Sequence, residues 1–189
     1  MRLFIAIALP REVRDDLARL QRGLRSARWI APENFHLTLA FLGELEGTEA
    51  ADVDAALSSL RLPSFTLRLE GVGVFGEGRK LRALWAGVAQ NEALCRLQAK
   101  VVRAVESAGQ PPAARKFKPH VTLARFKGAS DHDIGRYLEE NGLFRTADFP
   151  VEEVLLFSSF RAGNGPIYRA EAHYPLLHHA GEPLQSQAR

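Results

Sequence analysis

Residues 3–9 (LFIAIAL) are apolar without a break, and Pro10 follows. An apolar run of that length reads as a strand buried on both faces, and the proline suits a helix entry. Val13, Leu17, Leu20 and Leu24 recur at helical spacing and predict a helix over 11–25. RWIAPEN is a loop, and residues 35–42 are strand-like. Thr48 opens a second helix with Val53, Ala56, Leu57 and Leu60 on its buried face. Phe65, Leu67 and Leu69 alternate as a strand. GVGVFGEGRK (71–80) reads as a glycine-rich turn region and LRALWAGVA as a further strand.

The order then returns. Asn91 is placed to cap a helix carrying Leu94, Leu97, Val101 and Val105, ended by Gly109-Gln110-Pro111-Pro112. Residues 120–126 are a strand. Ser130 with Asp133 gives a capping-box signature for a helix containing Ile134 and Leu138. VEEVLLFSSF and IYRAEAHYPL are the last strands, and the polar stretch 178–189 is expected to be a flexible tail. Helix, His-bearing strand, helix and two strands thus occur twice. The pattern predicts two related lobes in an α+β arrangement, packed within one domain, with the loop around Asn91 between the repeated halves.

Composition narrows the class. The chain has 189 residues, 46% hydrophobic and 25% charged, which describes a globular protein. Its net charge of +3 is carried mostly by Arg, whose planar fork fits phosphate, so an anionic partner is expected. Cys95 is the sole cysteine, which excludes an intramolecular disulfide and a Cys-rich zinc site; its helical apolar surroundings read as core. No Ala-x-Ala-like cleavage site follows the first apolar run, and nothing approaches the roughly 18 apolar residues of a membrane span. The expected location is the cytoplasm.

The candidate chemistry lies in a repeat. NFHLTLAFLGE starts at Asn34 and KPHVTLARFKG at Lys118, and each contains His-x-Thr-Leu-Ala. Side chains alternate along a strand. Phe35, Leu37 and Leu39 therefore share one face and His36, Thr38 and Ala40 the other. In the second copy Val121 and Leu123 oppose His120, Thr122 and Ala124. Each strand presents an imidazole beside a hydroxyl, and the small Ala leaves room for approach. A single such pair is more often structural than catalytic. A given window matches this pattern only on the order of once in 10⁵, and a duplicated scaffold has no need to keep a polar pair. Two imidazoles facing one cleft suit proton acceptance by one and donation by the other, with the Thr hydroxyls holding an oxyanion. That layout fits in-line transfer at phosphorus without a metal.

On the strength of these motifs, the chain resembles the two-histidine (2H) phosphoesterase superfamily. It is most similar to the RNA 2′,3′-cyclic phosphodiesterases, also called 2′-5′ RNA ligase-like proteins. MRLFIAI, FHLTLAFLGE, FGEGRKLRALWAGV, KFKPHVTLARF and GPIYRAEAHYPL carry the resemblance across nearly the whole chain. It implies two pseudo-symmetric lobes, each an antiparallel sheet with helices on its outer face, around a central cleft. The lobes are expected to be intertwined, with one motif (36–39 and 120–123) from each. It also implies hydrolysis of an RNA-terminal 2′,3′-cyclic phosphate to a 2′-phosphate, with no cofactor or metal. By analogy His36 donates a proton to the leaving 3′ oxygen, His120 accepts one from water, and Thr38 and Thr122 hold phosphate oxygens. The near-symmetry of the motifs leaves the two histidine roles interchangeable on sequence alone.

Arg125 is a further phosphate-ligand candidate, although strict alternation points it away from His120 unless the strand bulges. Phe41, at the equivalent place in the first copy, reads as core. Lys116, Lys118, Arg161 and Trp29 are candidates to line the RNA path by charge or stacking. Gly71-x-Gly73-x-x-Gly76 matches a dinucleotide fingerprint only formally, because a strand follows it. His132, His173, His178 and His179 lack ligand spacing. The expected partner is RNA with a cyclic-phosphate end, tRNA fragments being one source. No membrane association and a monomer are expected. Two alternatives stay open: 2′-5′ ligation as the reverse reaction, and a binding module without turnover.

Overall fold

The computed structural model describes residues 1–113, 116–126, 133–162 and 165–177. Strand β1 (Arg2–Ala8) pairs antiparallel with β3 (His36–Glu44) on one side and β9 (Glu153–Ala162) on the other, and β9 pairs with β10 (Gly165–Pro175). A second group has β7 (His120–Arg125) beside β6 (Ala83–Val88), and β6 beside β5 (Leu69–Phe75). The free edge of β7 receives the two-residue strand β2 (Arg28–Trp29) and touches β3 through one pair, Leu37 opposite Val121. Among the described residues the two groups are therefore the antiparallel halves of one eight-stranded sheet, joined at that single pair. β4 (Phe65–Leu67) and β8 (Phe149–Val151) pair separately.

Helices pack against strands of both groups. Helix α2 (Gly47–Ser58) lies against α3 (Glu92–Ser107), and α3 lies against β3. Helix α4 (Ile134–Asn141) lies against β5, and its Tyr137 hydroxyl donates to the Leu20 carbonyl just beyond α1 (Arg11–Ala18). Leu94, Leu97, Val101 and Val105 line the buried stripe of α3, as their spacing predicted. The Asn91 side chain accepts from the Leu94 amide at 2.9 Å, satisfying a helix donor that would otherwise lack a partner. No helix among the described residues is long and apolar enough to cross a membrane.

The order β1-α1-β3-α2-β4-β5 is repeated as β6-α3-β7-α4-β8-β9. Each unit gives its last strand to the other unit's sheet: β5 pairs with β6, and β9 pairs with β1. The lobes are thus built across the Asn91 boundary rather than on either side of it.

Several local expectations are corrected. Helix α1 stops at Ala18, not residue 25. Gly23 has φ +79, which a right-handed helix does not admit, and the Gln21 side-chain amide donates to the Ile30 carbonyl at 2.6 Å. Leu20 and Leu24 are nevertheless buried, since a turn returns apolar residues to the core as well as a helix does. Residues 65–69 contribute to two strands in different sheets, and residues 28–34 hold β2 and a 3₁₀ turn rather than a plain loop. Helix α2 begins at Gly47 behind a capping box of Glu46 and Glu49 rather than at Thr48. Residues 71–75 are strand, not turn. Gly73 lies under the Trp85 ring, where an added Cβ would sit 2.4 Å from two ring carbons. Cys95 is exposed, one position off the buried stripe of α3. The expected Ser130 cap and the 178–189 tail lie outside the described residues.

Candidate active site

The single hinge pair sets the register of the two motifs. With Leu37 opposite Val121 on antiparallel strands, the same register places His36 beside Thr122 and Thr38 beside His120. Alternation puts the four polar side chains on the face opposite Leu37 and Val121. Leu37 and Val121 point the opposite way, into the core.

The two imidazoles are anchored alike. His36 Nδ1 lies 2.7 Å from the Asn34 carbonyl, and His120 Nδ1 lies 2.7 Å from the Lys118 carbonyl. A carbonyl only accepts, so both Nδ1 atoms carry the proton. Each Nε2 is left to accept a proton when the ring is neutral and to donate one when it is charged. Aromatic rings wall both sites. His36 sits 4.9 Å from the Phe4 ring and 5.2 Å from Tyr168, edge on. His120 meets Phe75 edge on at 4.9 Å and Trp85 at 6.4 Å. The Lys118 ammonium lies over Trp85 at 4.3 Å and Phe75 at 5.3 Å, a cation–π seat beside His120.

Burial holds both imidazoles below their ordinary pKa, because desolvation disfavours the charged ring. The carbonyl acceptors work against this by favouring the protonated form. For His36 the Arg125 charge and His120 lower it further; for His120 the Lys118 and Arg125 charges do so. The His120 charge is thus felt at the His36 imidazole.

Arg125 is placed by an irregularity shared by both motif strands. In β7, Ala124 pairs with Leu84 and Thr122 with Trp85, so Leu123 is an extra residue. In β3, Ala40 pairs with Ile5 and Thr38 with Ala6, so Leu39 is extra at the matching position. A bulge shifts the alternation by one residue. Ala40 and Ala124 turn into the core instead of lining the cleft. Arg125 returns to the His120 face, where its charge reaches both imidazoles and the Tyr168 phenol. Phe41 is likewise not core: it is 58% exposed, with its ring 6.2 Å from Phe4.

The remaining candidates divide. Lys118 joins the His120 wall. Trp29 is partly buried, pairs with Ala124 and packs against the core. Lys116 is exposed, and the Arg161 side chain lies outside what is described. His173 pairs with Glu153 at 2.9 Å, and His132, His178 and His179 fall outside the described residues. The sequence reading missed Phe4, Phe75, Trp85 and Tyr168. Their strands could be identified, but which side chains meet an imidazole depends on strand order.

An antiparallel two-lobed fold with one His-x-Thr strand from each lobe defines a two-histidine phosphoesterase. The family profile described as LigT like Phosphoesterase matches residues 7–85 and again residues 87–168, once on each repeated unit, and the chain belongs to that family. The RNA 2′,3′-cyclic phosphodiesterase of Aeropyrum pernix is 34% identical over 159 residues, covering 83% of this chain and 89% of that protein. The crystal structure of TT0787 of Thermus thermophilus superposes with a TM-score of 0.77 at 32% identity, covering 93% of this chain and 97% of that one. E. coli LigT complexed with 3′-AMP also gives 0.77, at 27% identity, covering 93% and 97%.

Proposed function

We propose that this protein hydrolyses RNA-terminal 2′,3′-cyclic phosphate to a 2′-phosphomonoester by metal-independent acid–base catalysis. The observation that carries the reading is the pair of Nδ1-anchored imidazoles, each on the residue just before one partner of the Leu37–Val121 junction. The names of the relatives and the 3′-AMP complex of E. coli LigT support it.

In this mechanism His120 Nε2 takes a proton from water as the water oxygen bonds to phosphorus. The bond from phosphorus to O3′ breaks, and His36 Nε2 delivers its proton to O3′, leaving the phosphate on O2′. Thr38, Thr122 and Arg125 hold the non-bridging oxygens as charge develops. The Lys118 ammonium beside His120 supports its role as the neutral ring, and the bound phosphate anion favours the proton on His36. The protein acts as a cytoplasmic monomer, and tRNA fragments are one source of its substrate.

The test is incubation of the purified protein with a short RNA ending in a 2′,3′-cyclic phosphate, with EDTA present. Conversion to a 2′-phosphate end is expected. Binding without turnover would replace the reading with a recognition module. Joining to a 5′-hydroxyl RNA would show the site running in reverse.

A further inference from the structure

Arg28 and Arg125 are direct partners across β2 and β7. Cross-strand partners share a face, and adjacent strands lie about 4.8 Å apart. The neighbouring pair confirms the phase: Trp29 and Ala124 turn toward the core, so Arg28 and Arg125 turn away from it. Both are exposed. β2 lies on the edge of β7 that faces β3, so Arg28 stands one strand beyond Arg125 where the cleft opens between the lobes.

Like charges set directly opposite in a sheet repel. Some arginines of this protein are matched, such as Arg68 with Asp148 and Glu70, Arg136 with Asp133, and Arg96 with Glu92. Arg28 and Arg125 form no ion pair among the described residues, and the charge of Arg125 already falls on the catalytic imidazoles. The missing counter-charge fits a polyanion that meets the two guanidinium groups in succession.

Resting on the phosphodiesterase reading above, we propose that Arg28 forms a second anion subsite beside Arg125, which takes the phosphate on the 5′ side of the terminal nucleotide. Arg125 faces the cyclic phosphate between the histidines, and Arg28 meets the next phosphate one nucleotide step outward. The subsite makes the enzyme prefer an RNA chain end to a free cyclic nucleoside phosphate.

The experiment compares a nucleoside 2′,3′-cyclic phosphate carrying a 5′-phosphate with the same compound carrying a 5′-hydroxyl. For the wild type, kcat/KM for the first should exceed that for the second by roughly 10-fold, the size of one charge-assisted contact. In Arg28→Gln that ratio should collapse toward one, and in Arg28→Lys it should be partly kept. The dependence of log(kcat/KM) on log[salt] for a short single-stranded RNA ending in a 2′,3′-cyclic phosphate should become shallower by about 0.7 in Arg28→Gln. A wild type indifferent to the 5′-phosphate, or an Arg28→Gln variant with the full wild-type ratio, overturns the subsite. The same ratio is read by calorimetry with nucleoside 2′-phosphates, which need no turnover. Absence of hydrolysis with the binding ratio intact would sink the phosphodiesterase reading and leave the subsite standing.

Discussion

Leu37 and Val121 face each other across the strand pair that, among the described residues, joins the two halves of the large sheet, and each is 0% exposed. Neither carries chemistry. Their contact nonetheless fixes the distance and register between His36 and His120, because each histidine is the residue just before one of them on its strand.

Leu37→Ala should therefore act on stability and on chemistry together. A fully buried Leu→Ala change costs about 2–5 kcal/mol, read by denaturant unfolding. Loosening of the junction should also lower kcat at temperatures where the variant stays folded. Wild-type kcat in a folded Leu37→Ala protein would show that the hinge pair does not set catalytic alignment.

In the proposed mechanism, replacing either histidine removes one half of the proton relay. His36→Ala and His120→Ala should each lower turnover of cyclic-phosphate RNA by roughly 10²–10⁴, with KM changed far less. Thr38→Ala and Thr122→Ala should cost less, since each removes one neutral donor. Steady-state kinetics with circular dichroism to check folding decides, and near-normal turnover in either histidine variant would remove that ring from the relay.

The rate should rise and then fall with pH. Both rings protonated leaves no base, and both neutral leaves no acid. Burial lowers both rings in the free enzyme, so the kcat/KM window should lie on the acid side of the ordinary imidazole pKa of about 6.5. Bound phosphate favours the charged ring, so the upper limb of kcat should lie higher than that of kcat/KM. The limbs belong to the coupled pair and not to single rings. A profile that climbs steadily to pH 10 would contradict the two-histidine mechanism.

The same shifts make a stability prediction that needs no substrate. Folding favours the neutral rings, so the unfolded chain binds more protons between the lowered folded pKa values and about 6.5. Stability should fall as pH drops through that window. Unfolding midpoints from pH 7.5 to 5 should fall less steeply in a His36→Gln/His120→Gln double variant. Equal slopes would mean that the imidazoles are not held neutral.

The Lys118 seat gives a separate test. Lys118→Gln keeps the backbone carbonyl that anchors His120 but removes the neighbouring charge, so the acid limb of kcat/KM should move to higher pH. Gly73→Ala should displace the Trp85 ring, lower the unfolding midpoint and disturb the same limb. An acid limb unmoved in Lys118→Gln would separate this ammonium from the base.

Much of the site was legible because its signals are local. A period of two puts His36 with Thr38 and His120 with Thr122, and each anchoring carbonyl lies only two residues upstream, at Asn34 and Lys118. Helical spacing likewise identified the buried stripe of α3, which depends on one helix and its core.

The positions of Arg125, Phe41, Ala40 and Ala124 were not legible. The extra residues Leu39 and Leu123 exist only relative to a partner strand, and nothing in HLTLAF or HVTLAR marks them. The aromatic walls depend on which strands become neighbours: Phe4 reaches His36 because β1 pairs with β3, and Trp85 reaches Thr122 because β6 pairs with β7. The exchange of β5 and β9 between units is a choice of partner at long sequence separation. The sequence by itself determined most of the helices and strands and the paired motifs with the chemistry proposed for them, since side-chain direction within one strand is a local property of the backbone. Tertiary structure alone decided register, bulges and strand order, because a strand's hydrogen-bonding edges accept any partner that the packing of the whole core brings to them.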